Sequence, residues 1–158
     1  MKILAFNLEE EKFRETLKKE VEQFRGHARR VRVQYEQLKS LKENLAVNEV
    51  IMQMAFAENY TCQSVEEVQS AYWNASMVTL HPAVAHYRPE DGAEVTHQSM
   101  VFVSDEMGHN SSTVFAFLKE RIPHLKVILP NIKHIHYHTD STTSQYRNKT
   151  IFYVLSRH

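Results

Sequence analysis

The sequence predicts an α/β domain with a mixed sheet, preceded by a long amphipathic helix. Apolar residues recur at alternating spacings of four and three from Leu17 to Leu38, which is typical of one long helix. From Val47 onward the period falls to two, which is typical of strands. A helical pattern then separates the third strand from the fourth, and this connection favours a parallel neighbour for the fourth strand.

The N-terminal helix is predicted to begin near the acidic cluster Glu9, Glu10 and Glu11 and to run to about Glu43. Gly26 lies inside it and is a candidate for a kink or a close contact. The alternation of four and three also suits a coiled-coil seam. Residues 1–46 therefore form a helical segment and residues 47–158 an α/β domain.

Within the α/β domain the predicted order is β-β-β-α-β-α. Pro82 marks an edge or a bulge in the second strand, because proline cannot donate to a strand ladder. Pro123 is predicted to end the first helix of the domain. Tyr72 and Trp73 are predicted to be core aromatics. The elements correspond to VIMQMAF, MVTLHPAVAHYR, SMVFVSDE, the segment from Asn110–Ser112 to Pro123, HIHYHTD, and Ser144–Arg157.

The composition is that of an ordinary globular chain. The 158 residues are 42% hydrophobic and 24% charged, which excludes a disordered, collagenous or fibrous protein. Nineteen basic residues balance nineteen acidic ones, so nucleic-acid binding would need a local basic patch. Cys62 is the only cysteine, which excludes an intrachain disulfide. No apolar run approaches the roughly 18 residues of a membrane helix, so we expect an intracellular protein without a membrane partner, with the nucleus as one location.

Asp140 stands at the end of the fourth predicted strand. Ligands of open α/β sheets gather beyond the carboxyl ends of strands, so a carboxylate there is well placed to hold a metal ion. The alternative is a turn or N-cap aspartate, and the position alone does not separate the two roles. One aspartate does not complete a divalent-metal site, which needs several hard oxygen ligands.

Three segments resemble uncharacterised proteins that look like derivatives of mobile elements, related to transposases and integrases with a ribonuclease H-like core. The segments are IMQMAFAENYTCQSVEEVQSAYWNASMVTLHP, SMVFVSDEMGHNSSTVFAFLKE and IKHIHYHTDSTTSQYRNK, and the resemblance runs from about Arg25 to the C-terminus. It implies a ribonuclease H-like mixed sheet that is C-terminally incomplete, because we expect the last strand and helix to lie beyond His158. It also implies DNA as a partner and Mg²⁺ or Mn²⁺ as the cofactor of a complete site.

The resemblance implies one catalytic acid on strand one and a second at the end of strand four. Asp140 falls in the second position, as a catalytic residue and metal ligand. The first position, within a pattern that reads MDFAENY-like in the related proteins, holds Ala55, which offers no oxygen ligand. A natural loss and a deliberate replacement would both give this residue. With the third acid also missing, we expect a transposase-derived nucleic-acid-binding domain that is catalytically inactive and binds no metal ion.

Two groups of basic residues are candidates for phosphate contacts. Arg25, Arg29 and Arg32 lie close to one face of the long helix, although a solvated face paired with neighbouring glutamates is the favoured interpretation. Arg147 and Lys149 follow Asp140 and would extend a phosphate-binding rim if the fold is correct.

Two other functions compete with nucleic-acid binding. His134, His136 and His138 alternate on a strand and would face one side, as zinc ligands of a hydrolase do, although a polar sheet face is the favoured interpretation. The other alternative is an interaction module in which the heptad helix forms a homodimer or docks a partner. Among the remaining acids, Glu58 is expected at the surface, and Asp105 and Glu106 are expected in a turn or cap.

Overall fold

A computed structural model describes residues 9–62 and 76–157 of the chain. The predicted core aromatics Tyr72 and Trp73 lie outside these ranges. The chain divides into two compact units, Met1–Asn44 and Leu45–His158. None of the helices in the described ranges is long and apolar enough to cross a lipid bilayer.

The first unit contains the predicted long helix, α1 (Glu10–Glu43). Glu10 and Glu11 lie in its first turn, where the helix dipole favours negative charge. The helix is uninterrupted at Gly26, and a Cβ added there would lie 3.6 Å from Arg30 Nη1, an ordinary van der Waals separation. The structure therefore gives no steric reason for glycine at this position. No residue of α1 is buried.

The second unit contains a mixed sheet of five strands. They are β1 (Glu49–Met54), β2 (Tyr60–Thr61), β3 (Met77–Tyr87), β4 (Thr96–Ser104) and β5 (His134–Thr139). β1 pairs antiparallel with β3 and parallel with β5, and β4 pairs antiparallel with β3. The short β2, which the sequence did not predict, pairs with β3 beyond the end of β1. The four longer strands thus follow the order β4-β3-β1-β5, and the predicted mixed α/β class with a long N-terminal helix is confirmed.

Pro82 lies inside β3, opposite the gap between β1 and β2, which pair with the two ends of β3 on the same side. The carbonyl of Leu80 accepts a hydrogen bond from Ala57 N–H at 3.0 Å. Backbone groups two residues apart on a strand point to the same side, so the Pro82 nitrogen faces the irregular segment between β1 and β2. The missing N–H of proline therefore costs no ladder bond there. The predicted irregularity is found, but in an internal strand.

Helix α2 (Ser111–Ile128) begins after Asn110, whose side-chain oxygen accepts hydrogen bonds from two backbone N–H groups of the first turn. The prediction that Pro123 ends this helix is wrong, because the helix continues past it. Ile122 and Leu125 flank the proline and are buried. The free energy gained by burying them offsets the loss of the one backbone hydrogen bond that proline cannot make.

Helix α3 (Lys149–Leu155) is shorter than the predicted Ser144–Arg157. The side-chain oxygen of Asn148 caps it by accepting from Ile151 N–H at 3.1 Å, and the Asn148 amide donates to the Thr143 carbonyl at 3.1 Å. These bonds fix a turn before Lys149, so the helix begins four to five residues later than predicted.

Helices α2 and α3 share one hydrophobic core with the sheet. The core residues of β1 alternate along the strand, so one sheet face is directed to this core and the other is not. Each fully buried aliphatic side chain stabilises the fold by about 1.5–3 kcal/mol. The core members are Val50, Met52, Met54, Ala83, Ala85, Val114, Leu118, Ile122, Leu125, Tyr146 and Ile151.

Candidate functional site

The carboxyl ends of β1 and β5 bring Ala55 and Asp140 to the same edge of the sheet. Met54 and Thr139 are the last paired residues of the two parallel strands, and Ala55 and Asp140 are the next residues of each chain segment. Both line an open groove of about 330 Å³, together with His138 and residues of β3. The two positions that the resemblance assigns to catalytic acids are therefore neighbours. Ala55 is half-buried and Asp140 is exposed.

Asp140 also has a structural role in this position. Its Oδ1 accepts a hydrogen bond from Thr142 N–H at 3.2 Å, and Ser141 N–H donates to Thr139 Oγ1 at 3.1 Å. Ser141 between them has a φ of 59°, a left-handed conformation that non-glycine residues rarely adopt. The chain thus makes a sharp corner directly after the strand, and this corner holds the Asp140 carboxylate at the rim of the groove. The turn role that the sequence left open is present.

Arg147 and Lys149 lie close behind this corner in the chain. Arg147 is exposed, donates to Thr143 Oγ1 at 3.3 Å, and lines a cavity together with Ser141. Lys149 is exposed at the first position of α3. Arg147 therefore lies beside the end of β5, and Lys149 follows it two residues later in the chain.

The three arginines of α1 lie in the other unit of the chain. Arg25, Arg29 and Arg32 are all exposed. Arg25 Nη1 lies 3.7 Å from Glu22 Oε2, in a pair whose side chains are both more than 70% exposed. Exposed pairs of this kind contribute little to stability because water screens them. The exposure of the three arginines fits both alternatives, a solvated helix face and a face that contacts phosphates.

A buried polar network, which the sequence analysis missed, lies in the core below the strand ends. Arg121 is 1% exposed; its Nη2 donates to the His81 carbonyl at 2.8 Å, and its Nη1 lies 3.2 Å from His81 Nδ1. Because a guanidinium can only donate, Nδ1 must accept, and the neutral imidazole carries its proton on Nε2. His81 Nε2 therefore donates to the Tyr146 hydroxyl, 2.7 Å away. A sequence signal existed, since Arg121 occupies the apolar stripe of α2 between Leu118 and Leu125.

Burial governs the protonation of this network. It lowers the pKa of His81 to about 3, with the positive charge of Arg121 and then His109 as further causes. Burial also lowers the pKa of Arg121 to about 10. The pKa of Tyr146 is raised by burial and by the charge of Asp140, and is lowered by Arg121. Tyr146 thus couples the buried network electrostatically to the carboxylate at the strand end.

A second hydrogen-bond cluster fixes the irregular segment after β1. Asn59 Oδ1 accepts from Thr79 Oγ1 at 2.9 Å and from His109 Nε2 at 2.7 Å. The ring of Phe56 stacks on His109 with 4.4 Å between the centroids. These contacts hold Phe56 and Asn59 after Ala55, and β1 ends at Met54 just before it, so the first predicted acid position has a defined backbone.

A cavity of about 250 Å³ lies on the side of the sheet that faces the helices. Its lining is mainly apolar and includes Met54, Tyr137 and Phe152, with Arg147 at its polar part. Among the described residues the buried Tyr137 hydroxyl has no hydrogen-bond partner, and burial raises the pKa of Tyr137 to about 12. A neutral phenol is therefore the form present here at neutral pH.

The three predicted zinc ligands lie on β5 and face away from the core. His134, His136 and His138 pair with Glu49, Ile51 and Gln53 of β1. His136 Nε2 lies 3.4 Å from Glu49 Oε2, without hydrogen-bond alignment. Among residues 9–62 and 76–157, no group of three or more His, Cys, Asp or Glu side chains could hold a metal ion.

Histidines of β3 and β4 share this sheet face with the histidines of β5, which the sequence did not predict. His97 of β4 pairs with His86 of β3, His86 pairs with Ile51, and Ile51 pairs with His136. Directly paired residues point to the same face, so these side chains form a row across the sheet. His86 Nε2 lies 3.0 Å from Gln53 Oε1.

Two other acidic residues singled out from the sequence, Glu58 and Glu106, lie where they were expected. Glu58 is exposed, as expected. Glu106 Oε1 accepts from Gly108 N–H at 2.8 Å, and Ser104 Oγ accepts from Glu106 N–H at 3.1 Å. Glu106 thus holds the turn before α2.

A family model covers most of the chain. Residues 34–158 match the family described as Domain of unknown function (DUF8701). The chain belongs to this family. The DUF8701 region covers the end of α1 and the whole α/β unit, whereas residues 10–33 of α1 precede it. No curated protein and no solved structure matches the chain.

Proposed function

We propose that the DUF8701 domain of this chain is a ribonuclease H-like nucleic-acid-binding domain, derived from a transposase, in which the catalytic metal site is incomplete. The observation that carries the proposal is the adjacency of Ala55 and Asp140 at the carboxyl ends of two parallel strands. Oxygen ligands on neighbouring parallel strands can share a divalent ion, so these two positions are where a Mg²⁺ or Mn²⁺ site would form.

The strand order supports the same proposal. The resemblance implies a first acid on strand one and a second at the end of the fourth long strand, and β1 and β5 occupy these places in the order β4-β3-β1-β5. Strand β1 is flanked by an antiparallel and a parallel neighbour, as a mixed sheet with a helical crossover between β4 and β5 requires.

Two exposed cations after Asp140 in the chain support a nucleic-acid ligand. Arg147 and Lys149 follow Asp140 by seven and nine residues and can contact phosphates, while Ala55 supplies no oxygen to a metal ion. The domain therefore binds nucleic acid without cutting it.

The protein-interaction function is the second candidate, and a separate observation favours it. Helix α1 is 34 residues long, and none of its residues is buried in the part of the chain that the structure describes. An amphipathic helix normally hides its apolar stripe, so α1 presents a surface for a partner.

Replacing Ala55→Asp tests the proposed metal site. We expect Mn²⁺ binding to strengthen by about tenfold or more, because a second hard oxygen ligand joins Asp140. Isothermal titration of Mn²⁺ into the wild type and the variant measures the difference. The double variant Ala55→Asp/Asp140→Asn is the matched control, and it should lose the gain.

The Ala55→Asn variant checks the half-buried position for folding, since asparagine has the size of aspartate without its charge. Circular dichroism should show all variants folded. Equal and negligible Mn²⁺ binding by folded wild type and folded Ala55→Asp would show that Asp140 is only a turn residue, and the proposed ancestry of the site would be wrong.

A further inference from the structure

Helix α1 carries a continuous apolar seam that none of the described residues of its own unit, 9–44, covers. Five large side chains of the seam are between 47% and 69% exposed: Leu17, Val21, Phe24, Val31 and Tyr35. Ala28 and Leu38 continue the same spacing. From Leu17 to Leu38 the seam is about 30 Å long at 1.5 Å per residue. A single helix cannot remove such a stripe from water, so a second helix of matching pattern is needed.

The seam has the heptad pattern of a coiled coil. Val21, Ala28 and Tyr35 occupy the a positions, and Leu17, Phe24, Val31 and Leu38 occupy the d positions. Gly26 and Ser40 fall at the outer f positions, where a small residue leaves the seam intact.

We propose that α1 pairs with α1 of a second copy of this chain as a parallel, in-register coiled coil. The charges that flank the seam decide the partner and the direction. From Lys18 to Lys39 every e position is basic, namely Lys18, Arg25, Arg32 and Lys39, with Glu11 as the e position before the seam, whereas the g positions Glu20, His27 and Gln34 carry one acid and no fixed cation.

A parallel pair places each g residue against the e residue of the next heptad in the partner. Glu20 then faces Arg25 of the partner subunit, and symmetry makes this ion pair twice. His27 and Gln34 face the other cations without a fixed like charge. An antiparallel pair would set the row of basic e residues against itself, which like-charge repulsion disfavours. The ion pair between Arg25 and Glu22 within the helix is long, at 3.7 Å, and both side chains are exposed, so Arg25 is free to exchange partners.

The dimer does not depend on the nucleic-acid function proposed above. The DUF8701 match begins at residue 34, so the seam from Leu17 to Val31 precedes the family domain. Failure of the metal or DNA experiments leaves this inference intact, and the reverse also holds.

Two valines on the same helix provide a matched test of the seam. Val31 occupies a d position and is 49% exposed, while Val33 occupies an f position and is 46% exposed. We expect the full chain to sediment as a dimer at micromolar concentration. Val31→Glu should weaken dimerisation about tenfold or more, because it sets two carboxylates together in the seam, and Val33→Glu should leave it unchanged. A monomeric wild type, or equal effects of the two variants, would overturn the proposal.

Cysteine cross-linking tests the direction. In a Cys62→Ser background, Val21→Cys and Tyr35→Cys each put a thiol at an a position, on opposite sides of the seam's centre. In a parallel dimer each variant forms a disulfide with its own copy under mild oxidation, because equivalent a positions face each other. Disulfides that form only when the two variants are mixed would show an antiparallel pair and refute the proposed arrangement. Ser40→Cys, at an f position, is the control that should not cross-link.

Discussion

His81 shows how one buried side chain is assigned a single protonation state by its neighbours. It is fully buried, and its two ring nitrogens face the guanidinium of Arg121 and the hydroxyl of Tyr146. A second ring proton would point at a cation that can only donate hydrogen bonds. Arg121 in turn lies 4.7 Å above the ring of Phe102, which stabilises its charge in the core. The histidine must therefore stay neutral in the folded chain.

This arrangement predicts a loss of stability at acidic pH. The pKa of His81 is about 3 in the folded chain, against an ordinary value of 6.5, so the unfolded chain binds more protons between these values. The stability contribution of neutral His81 is complete above pH 6.5 and is lost as the pH falls toward 3. The slope approaches about 1.4 kcal/mol per pH unit for one proton.

Urea unfolding at a series of pH values measures this slope. His81→Gln removes the titrating group but keeps an acceptor and a donor, so its free energy of unfolding should depend less on pH than that of the wild type. His109→Gln, the control outside the Arg121 pair, should retain most of the wild-type slope. Identical pH profiles for wild type and His81→Gln would contradict the buried neutral state.

At the level of elements, two glycines have opposite steric surroundings. Gly26 lies in the middle of α1 with room for a side chain. Gly108 lies in the turn before α2, where a Cβ would stand 2.8 Å from Glu106 Oε1 and 2.9 Å from Asn110 Nδ2. Those two side chains are already held, by the turn hydrogen bond to Gly108 N–H and by the cap of α2.

The same substitution should therefore act in opposite directions at the two positions. Gly26→Ala should stabilise α1 by about 1 kcal/mol, because alanine has the higher helix propensity. Gly108→Ala should destabilise the α/β unit, because the capping side chains must move. Thermal and urea unfolding followed by circular dichroism give both values. Destabilisation by Gly26→Ala would reveal a need for glycine in α1 that the steric space does not explain.

The elements also show where local pattern and tertiary contacts diverge. The period of three and four in α1 and the alternation in β1 are set by neighbours in the chain, and both elements were predicted close to their observed bounds. Pro123 was predicted to end α2, but the buried residues on both sides of it keep the segment helical. The start of α3 was placed too early, because the side-chain hydrogen bonds of Asn148 decide it.

For the whole molecule, the proposed binding of DNA requires a local electrostatic attraction. The nineteen basic and nineteen acidic residues cancel, so no long-range field draws a polyanion to the chain. Under the proposed function, the cations at the end of β5 carry the phosphate contacts.

The salt dependence of DNA binding tests this placement. If Arg147 and Lys149 each contact one phosphate, the logarithm of the binding constant should fall with the logarithm of salt concentration with a slope of roughly −2. The variant Arg147→Gln/Lys149→Gln should weaken binding and flatten this slope, as measured by fluorescence anisotropy. The triple variant Arg25→Gln/Arg29→Gln/Arg32→Gln is the comparison and should leave the slope unchanged. If the triple variant flattens the slope instead, the phosphate contacts lie on α1.

The sequence by itself determined the class of the fold, the long helix and its heptad pattern, and the four longer strands of the sheet. These features depend on periodicity and on capping residues, which act over a few positions of the chain. The resemblance to mobile-element proteins added the prediction that positions 55 and 140 belong to one site. These positions are adjacent in the structure. Only the tertiary structure decided that Arg121 and His81 form a neutral-histidine pair, that α2 passes through Pro123, and that histidines of three strands share one face. His81 is 40 residues from Arg121 and 65 from Tyr146 in the chain. Contacts over such separations follow from how the elements pack, and no local pattern encodes them.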